Sequence, residues 1–179
     1  MSGSVSATSS KPIASLCVHC GLCCNGALFA DVQLQPKEDP NSLRAHGLKL
    51  RGRRSPKSPA KLLQPCAALD GCRCRIYELR PTMCRQFECH LLQRAQRGEV
   101  EISAALATIK TTRKRIQKVE AFLATLGENS KDRPVRWRFQ NCLRAAERED
   151  WDAAKRETLA ELSLAMHQLN AVLQREFLP

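Results

Sequence analysis

The sequence predicts an α+β fold, in which a small, irregular, metal-organised cysteine-rich unit with short strands precedes a mostly α-helical C-terminal half. Three observations lead to this prediction. Nine of the ten cysteines lie between residues 17 and 89. Only 4% of the 179 residues are aromatic, so large rings that could anchor a core are scarce. From residue 81 onward, apolar residues recur at the three- and four-residue spacing of helices.

The composition also divides the chain. We expect residues 1–12 to be a disordered leader, residues 13–90 a cysteine-cluster metal-binding domain, and residues 91–179 a helical appendage of about three helices. The N-terminus lacks the cationic start and apolar stretch of a secretory signal, and no apolar run approaches the roughly 18–20 residues of a membrane span. These features favour a cytoplasmic protein with no membrane association. In a reducing compartment, clustered cysteines bind metal more often than they form disulfides.

Strand signals are short and lie in the cysteine-rich unit. Residues 27–34 alternate enough for one strand, and residues 61–66 and 72–77 have the pattern of two strands joined across a Leu-Asp-Gly turn. The segment 48–62 carries six basic residues and no acidic one, and glycine and proline interrupt it. It is therefore predicted to be a solvated loop and not a packed element.

Helix signals begin at Pro81, which suits the first turn of a helix that runs to Gly98. Further helices are predicted over 99–126, over 137–149 as a short element, and over 151–177 as a long one. In the last helix, leucine and methionine recur at spacings of three and four. We expect this stripe to pack inside the molecule in preference to forming a dimer seam.

The cysteine spacing carries the chemistry. The run from Cys17 through Cys20 and Cys23 repeats a Cys-x2-Cys step, in which a tight turn aims two sulfurs at one centre. Three such cysteines resemble the run with which bacterial ferredoxins hold a 4Fe–4S cluster. Ferredoxins continue with x3-Cys-Pro, whereas here Cys24 follows at once, so the chain is no ferredoxin. A remote ligand would have to come from one of three later cysteines: Cys66, Cys74 or Cys84.

Adjacent cysteines are awkward ligands for a single tetrahedral ion, because neighbouring side chains diverge from the backbone. Either Cys23 and Cys24 serve different centres, or one is a ligand and the other packs as a small hydrophobic residue. Nine cysteines could fill two four-thiolate sites with one left over, or hold one cluster and a structural zinc. The spacing alone leaves these alternatives open.

Three stretches of the chain, CVHCGLCCNG, QPC and CRCRIYELRPTMCRQFEC, resemble the CxxCxxCC cysteine-cluster family. Its YkgJ-like members are described as zinc- or iron-chelating and often as iron–sulfur proteins. The resemblance covers residues 17–89 and implies that the family's recurrent cysteines bind the cofactor here: Cys17, Cys20, Cys23, Cys24, Cys66, Cys74 and Cys84. Cys72 and Cys89 fall at more variable positions and remain candidate metal ligands. A flagellin lysine methylase belongs to the same broader family, which suggests alkyl-transfer chemistry.

Residues near the cysteines offer supporting roles. Pro81 places Cys84 in the first turn of a helix, where exposed N–H groups favour a thiolate, and Arg80 and Arg85 flank it. His19 lies between two cysteines and is expected to be a neighbour of the site and not a ligand. Cys142, far from the others, is expected to be an ordinary buried thiol.

These features predict a protein that holds an Fe–S cluster of the 4Fe–4S type, with a redox, cofactor-related or protein-modification-assisting role. One alternative is a structural zinc module that presents basic and helical surfaces to a protein or RNA partner, and iron and zinc could both be bound. A weaker alternative is an enzyme similar to a protein lysine N-methylase. No catalytic residues are identified.

A protein partner is expected. The net charge of +11 counts cysteines as neutral, and ligated thiolates would offset part of it. Nucleic acid is not favoured as a partner, since few aromatic residues are available for base stacking. The sequence predicts no oligomeric state.

Overall fold

The computed structural model describes residues 16–52 and 58–178, and these residues confirm the α+β fold class. Residues 16–20 are helical. The strands are β1 Asp31–Gln33, β2 Leu50–Arg51, β3 Lys61–Leu63, β4 Leu69–Asp70 and β5 Arg73–Cys74. The helices are α1 Pro40–Ala45, α2 Thr82–Gln86, α3 His90–Gln96, α4 Ile102–Thr125, α5 Val135–Arg148 and α6 Ala153–Glu176, with a 3₁₀ turn at Tyr77–Leu79. The predicted leader, residues 1–12, lies outside the described residues.

The strands form two small antiparallel sheets. One has the order β1-β3-β2, with Val32 and Leu50 both opposite Leu62, and the other pairs β4 with β5. The predicted pairing of 61–66 with 72–77 is wrong, because β4 and β5 form their own tight hairpin. Gly71 in its turn has a φ of +59°, a conformation that glycine adopts at low cost. That hairpin leaves β3 free to pair with β1 and β2.

The prediction of an unpacked loop over 48–62 is wrong at both ends of the segment. Leu48 is buried and β2 pairs with β3, since the leucines among the basic residues supply an apolar edge. Residues 53–57, in the middle of the segment, lie outside the described part. Helix α1, which was not predicted, has Pro40 at its start and is capped by Asp39, whose carboxylate accepts from two backbone amides.

The helix predicted from Pro81 to Gly98 is two helices. Phe87 and Cys89 both have extended backbone conformations, which separate α2 from α3. The Cys89 Sγ accepts a hydrogen bond from the Leu92 amide at 3.4 Å and so caps α3. Phe87 packs edge-on against Phe29 with ring centroids 4.9 Å apart. The break therefore directs the two cysteines that flank it, Cys84 and Cys89, to different parts of the molecule.

The long helices occur where the apolar spacing predicted them. α4 and α6 pack against each other, and α5 packs on both. The stripe on α6 lies in the interior, with Leu162 and Leu169 completely buried, which agrees with an intramolecular core. None of the described helices has the length and apolar character that crossing a membrane requires.

The buried side chains form two separate clusters. The helical core is made mainly by α3 to α6 and also includes Leu22 from the CVHCGLCCNG segment and Leu16, which directly precedes it. The sheet core is smaller and contains seven of the described residues: Leu34, Leu43, Leu48, Ala60, Leu62, Cys66 and Ala68. The division of the chain into units at residues 13–90 and 91–179 stays a prediction.

Candidate metal centre

The CVHCGLCCNG segment forms a tight turn against the β4–β5 hairpin. Gly21 has a φ of +70°, and its carbonyl accepts from the amides of Cys24 and Asn25, both at 3.0 Å. A Cβ on Gly21 would lie 3.2 Å from the Cα of Cys72. Glycine is therefore needed here both for the backbone conformation and for the close approach of the hairpin.

Four cysteines gather on the side of the sheet core. We call them the sheet-side set: Cys24, Cys66, Cys74 and Cys84. Cys66 is buried within the sheet core, and the other three pack against it. The Cys66 amide donates to the Cys24 carbonyl at 2.7 Å and thereby joins two distant segments of the chain. After burial, the negative charges of the other three thiolates are the main causes that raise the pKa of the Cys24 thiol, so the four thiols of the set interact electrostatically.

Four other cysteines gather on the side of the helical core. We call them the helix-side set: Cys17, Cys20, Cys23 and Cys89. Cys20 and Cys89 pack against the helical core. Burial raises the pKa of Cys23 most, followed by the charges of Cys20, Cys24, Cys89 and Cys17, and burial followed by the charge of Cys89 raises the pKa of Cys17. Cys24 therefore acts on Cys23 as well, but the other three thiols that do so belong to the helix-side set, and we assign Cys23 to that set.

Cys72 is the ninth cysteine of the cluster, and its main contact is with a helix. The guanidinium of Arg113 on α4 contacts the Cys72 Sγ and also donates to the carbonyls of Cys20, at 3.3 Å, and His19, at 3.4 Å. The charge of Cys72 is one of the causes that raise the pKa of Cys20. Cys72 therefore lies beside the helix-side set and is held there by a cation.

A cavity of about 420 Å³ lies between the two sets. All the clustered cysteines except Cys66 line it, together with aromatic and apolar side chains that include Phe29, Tyr77, Met83 and Phe87. The apolar side chains lower the local dielectric, so that electrostatic interactions among groups at the buried part of the cavity are stronger than they would be in water.

Arg80 is the cation shared by both sets. Its guanidinium lies 3.6 Å from the centre of the Tyr77 ring, and its Nε donates to the Tyr77 carbonyl at 2.8 Å. Burial raises the pKa of Cys17 in the helix-side set and of Cys24 and Cys84 in the sheet-side set, and the charge of Arg80 opposes that rise in all three. A guanidinium here can offset thiolate charge at both sites.

Arg85, which the sequence grouped with Arg80, is exposed and is not among the residues that line the cavity. It donates to the Thr82 hydroxyl at 3.3 Å. Burial raises the pKa of Glu38, but hydrogen bonds from Thr82 and Gln35, together with the charge of Arg85, outweigh burial and lower it. The Glu38 carboxylate in turn accepts from the Thr82 amide at the start of α2 at 2.5 Å.

Burial is the main influence on the pKa values of most of the clustered thiols, and it raises them. It is the largest cause raising the pKa of Cys20 and Cys24 to about 12 and that of Cys84 to about 11. The expectation that a helix start would favour the Cys84 thiolate is not met, since α2 has only five residues and desolvation outweighs other influences. At neutral pH these thiols carry protons, so a metal must displace protons on binding.

The donor chemistry of each set fits a metal centre. Four thiols complete either a zinc site or the ligand shell of an iron–sulfur cluster. Within residues 16–52 and 58–178, no three His, Cys, Asp or Glu side chains are arranged to hold a single ion as they stand. A tetrahedral zinc site needs sulfurs about 3.8 Å apart, from Zn–S bonds of about 2.3 Å, so the sulfurs of a set would draw together around one ion.

The remaining predicted residues have other surroundings. His19 is exposed at the rim of the helix-side set. Cys142 is buried in the helical core, 3% exposed, as expected for an ordinary thiol. Arg113 was missed by the sequence reasoning, because it is 93 positions from the carbonyl of Cys20 that it binds and no local pattern connects them.

Comparison with known proteins agrees with this picture of clustered thiols. No curated protein and no solved structure matches the chain significantly. One family model matches residues 16–142, which is most of the chain. Its description is "CxxCxxCC: Putative zinc- or iron-chelating domain", and this supports metal binding. Two sets of thiols around a shared cavity are an arrangement suited to such chelation, and the chain belongs to the CxxCxxCC family of zinc- or iron-chelating domains.

Proposed function

We propose that this protein binds iron–sulfur clusters of the 4Fe–4S type at two centres, the sheet-side set and the helix-side set, and serves a redox, cofactor-related or protein-modification-assisting role. The observation that carries the proposal is the division of the thiols between the two cores: Cys20 and Cys89 pack against the helical core, whereas Cys24, Cys74 and Cys84 pack with Cys66 at the sheet core. The four cysteines of each set come from at least two separate segments of the chain. A 4Fe–4S cluster can bridge such segments, because each of its four irons takes one thiolate.

The surroundings of the sulfurs support cluster binding. Arg80 lies beside both sets, and Arg113 lies beside Cys72 and the backbone of Cys20. Positive charge and hydrogen-bond donors near sulfur stabilise a negatively charged cluster and tune its reduction potential.

Zinc at the sheet-side set is a second candidate, and one observation favours it. The sheet core has seven buried residues among those described and is surrounded by strands of two or three residues. Units this small commonly depend on a structural metal, and four thiolates are a frequent zinc site. A zinc ion there, with a cluster at the helix-side set, would combine both metals in one chain.

Further expectations go with this proposal. We expect the protein to act in the cytoplasm on a protein partner, with nucleic acid less favoured. Activity of the lysine N-methylase kind is the weaker alternative. It requires the metal-loaded chain to bind a methyl donor, and failure to bind one excludes it.

The test is anaerobic purification followed by analysis of iron, zinc and acid-labile sulfide, with absorption spectra before and after dithionite. We expect iron and sulfide together with a visible absorption that bleaches on reduction. A chain that contains zinc and neither iron nor sulfide would refute the cluster and support the zinc module. Cys142→Ser is the matched control, because this thiol is buried away from both sets and its loss should leave the metal content unchanged.

A further inference from the structure

One face of α4 carries basic side chains next to the CVHCGLCCNG turn. They form a shallow groove of about 380 Å³, which we call the α4 groove. The groove is lined by His19, Leu106, Lys110, Arg113, Lys114 and Gln117. It contains three cations and no carboxylate, so its charge differs sharply from that of the mixed helical surface around it.

The positive charges of the groove have no carboxylate partner within the described part of the chain. No ion pair there joins Lys110, Arg113 or Lys114 to a carboxylate. α4 has no Asp or Glu between Ile102 and Val119. Cations three and four positions apart on a helix repel one another. A negatively charged ligand would relieve that repulsion.

The groove is directly connected to the helix-side set. Arg113 lines the groove and at the same time holds the carbonyls of His19 and Cys20 and contacts the Cys72 sulfur. A ligand in the groove would thus lie against the turn that carries Cys17 and Cys20.

We propose that the α4 groove is a docking surface for a carboxylate-rich segment of a partner protein, which it places beside the helix-side set. The groove contains no aromatic side chain on which a base could stack, and this favours a protein over a single-stranded nucleic acid. Complementary charge speeds association and fixes the orientation of a partner. The role of docking at the helix-side set rests on the proposed function, whereas the binding itself does not.

The test measures binding of a fluorescently labelled oligoglutamate peptide to the full chain by anisotropy. The groove variant is Lys110→Glu with Lys114→Glu. Its matched control is Arg144→Glu with Arg148→Glu, which reverses two exposed cations at the same spacing on α5. We expect the groove variant to weaken affinity about tenfold or more and the control about twofold or less, with wild-type affinity falling as salt rises.

Three outcomes would overturn the proposal. The first is no binding of the peptide to the wild type at low salt. The second is an equal loss in both variants, because net charge and not the groove would then explain binding. The third is tighter groove-dependent binding of an oligonucleotide of equal charge, which would assign the groove to nucleic acid. Metal content is measured on the same samples, so loss of the metal centres is recognised separately from loss of docking.

Discussion

Replacing the two adjacent cysteines one at a time is expected to give different structural results. Cys24→Ser removes a thiol from the sheet-side set, and Cys23→Ser removes one from the helix-side set. If each set holds its own centre, each variant loses about half of the bound metal. The sets belong to different cores, so we expect Cys24→Ser to unfold the sheet core and Cys23→Ser to leave both cores folded.

The loss of stability expected in Cys24→Ser follows from the small size of the sheet core. Its four leucines are each 8% exposed or less: Leu34, Leu43, Leu48 and Leu62. At about 1.5–3 kcal/mol for each buried leucine, they contribute about 6–12 kcal/mol. A structural zinc site contributes about 10–16 kcal/mol when its formation accompanies folding. Losing a metal centre of that strength therefore removes a stabilisation comparable to or greater than the one these leucines provide. The helical core, with eighteen of the described residues buried, depends on metal far less.

The assay combines metal content per chain with hydrogen exchange of backbone amides. In Cys24→Ser, the amides of β3 should exchange rapidly while those of α6 stay protected. In Cys23→Ser, both elements should stay protected. Loss of all metal in either single variant would show that the sets form one centre. Rapid exchange of β3 in Cys23→Ser would contradict the assignment of the sets to separate cores.

Three further predictions concern stability. Gly21→Ala should destabilise the chain in denaturant more than Gly47→Ala. Both glycines have positive φ, a conformation that costs about 1–2 kcal/mol in other residues. A Cβ at Gly21 would also lie 3.2 Å from the Cα of Cys72, whereas a Cβ at Gly47 would have no atom within 4 Å. Leu169→Ala should cost about 2–5 kcal/mol in thermal unfolding, since the side chain is fully buried, whereas Leu164→Ala should cost about 0.5 kcal/mol or less. Burial raises the pKa of the Cys142 thiol above its usual value of 9.0, so as pH rises above 9.0 the unfolded chain loses this proton before the folded helical core does. The helical core should therefore lose stability as pH rises above 9.0, and Cys142→Ser should flatten that part of the curve of unfolding midpoint against pH.

Long helices were predictable because their signal is local and repeated. The apolar pattern over 99–126 predicted helix α4, Ile102–Thr125, and the pattern over 151–177 predicted helix α6, Ala153–Glu176. β2 was missed, since a strand of two residues has no periodicity of its own and depends on its partner β3. The break between α2 and α3 was missed for a similar reason, because it is set by which core each flanking cysteine joins.

The cysteines of the candidate site were visible from their spacing, but their grouping was not. Nothing local distinguishes Cys23 from Cys24, and their division depends on segments more than forty residues away. Arg80 was found because it lies near Cys84 in the chain. Arg113 contributes through tertiary contact alone and has no sequence signal.

The peptide bond between Cys23 and Cys24 links the assembly of the two centres. Consecutive Cα atoms lie about 3.8 Å apart, so fixing one of these residues also confines the other. Fixing the backbone of one residue costs about 1–2 kcal/mol of conformational entropy. When the first metal centre forms, it orders the adjacent cysteine too, so the second centre no longer has to overcome that cost. The second centre should then bind about 5- to 30-fold more tightly than it would alone, which makes metal loading cooperative. A titration under anaerobic conditions would show this as an excess of fully loaded over half-loaded chains.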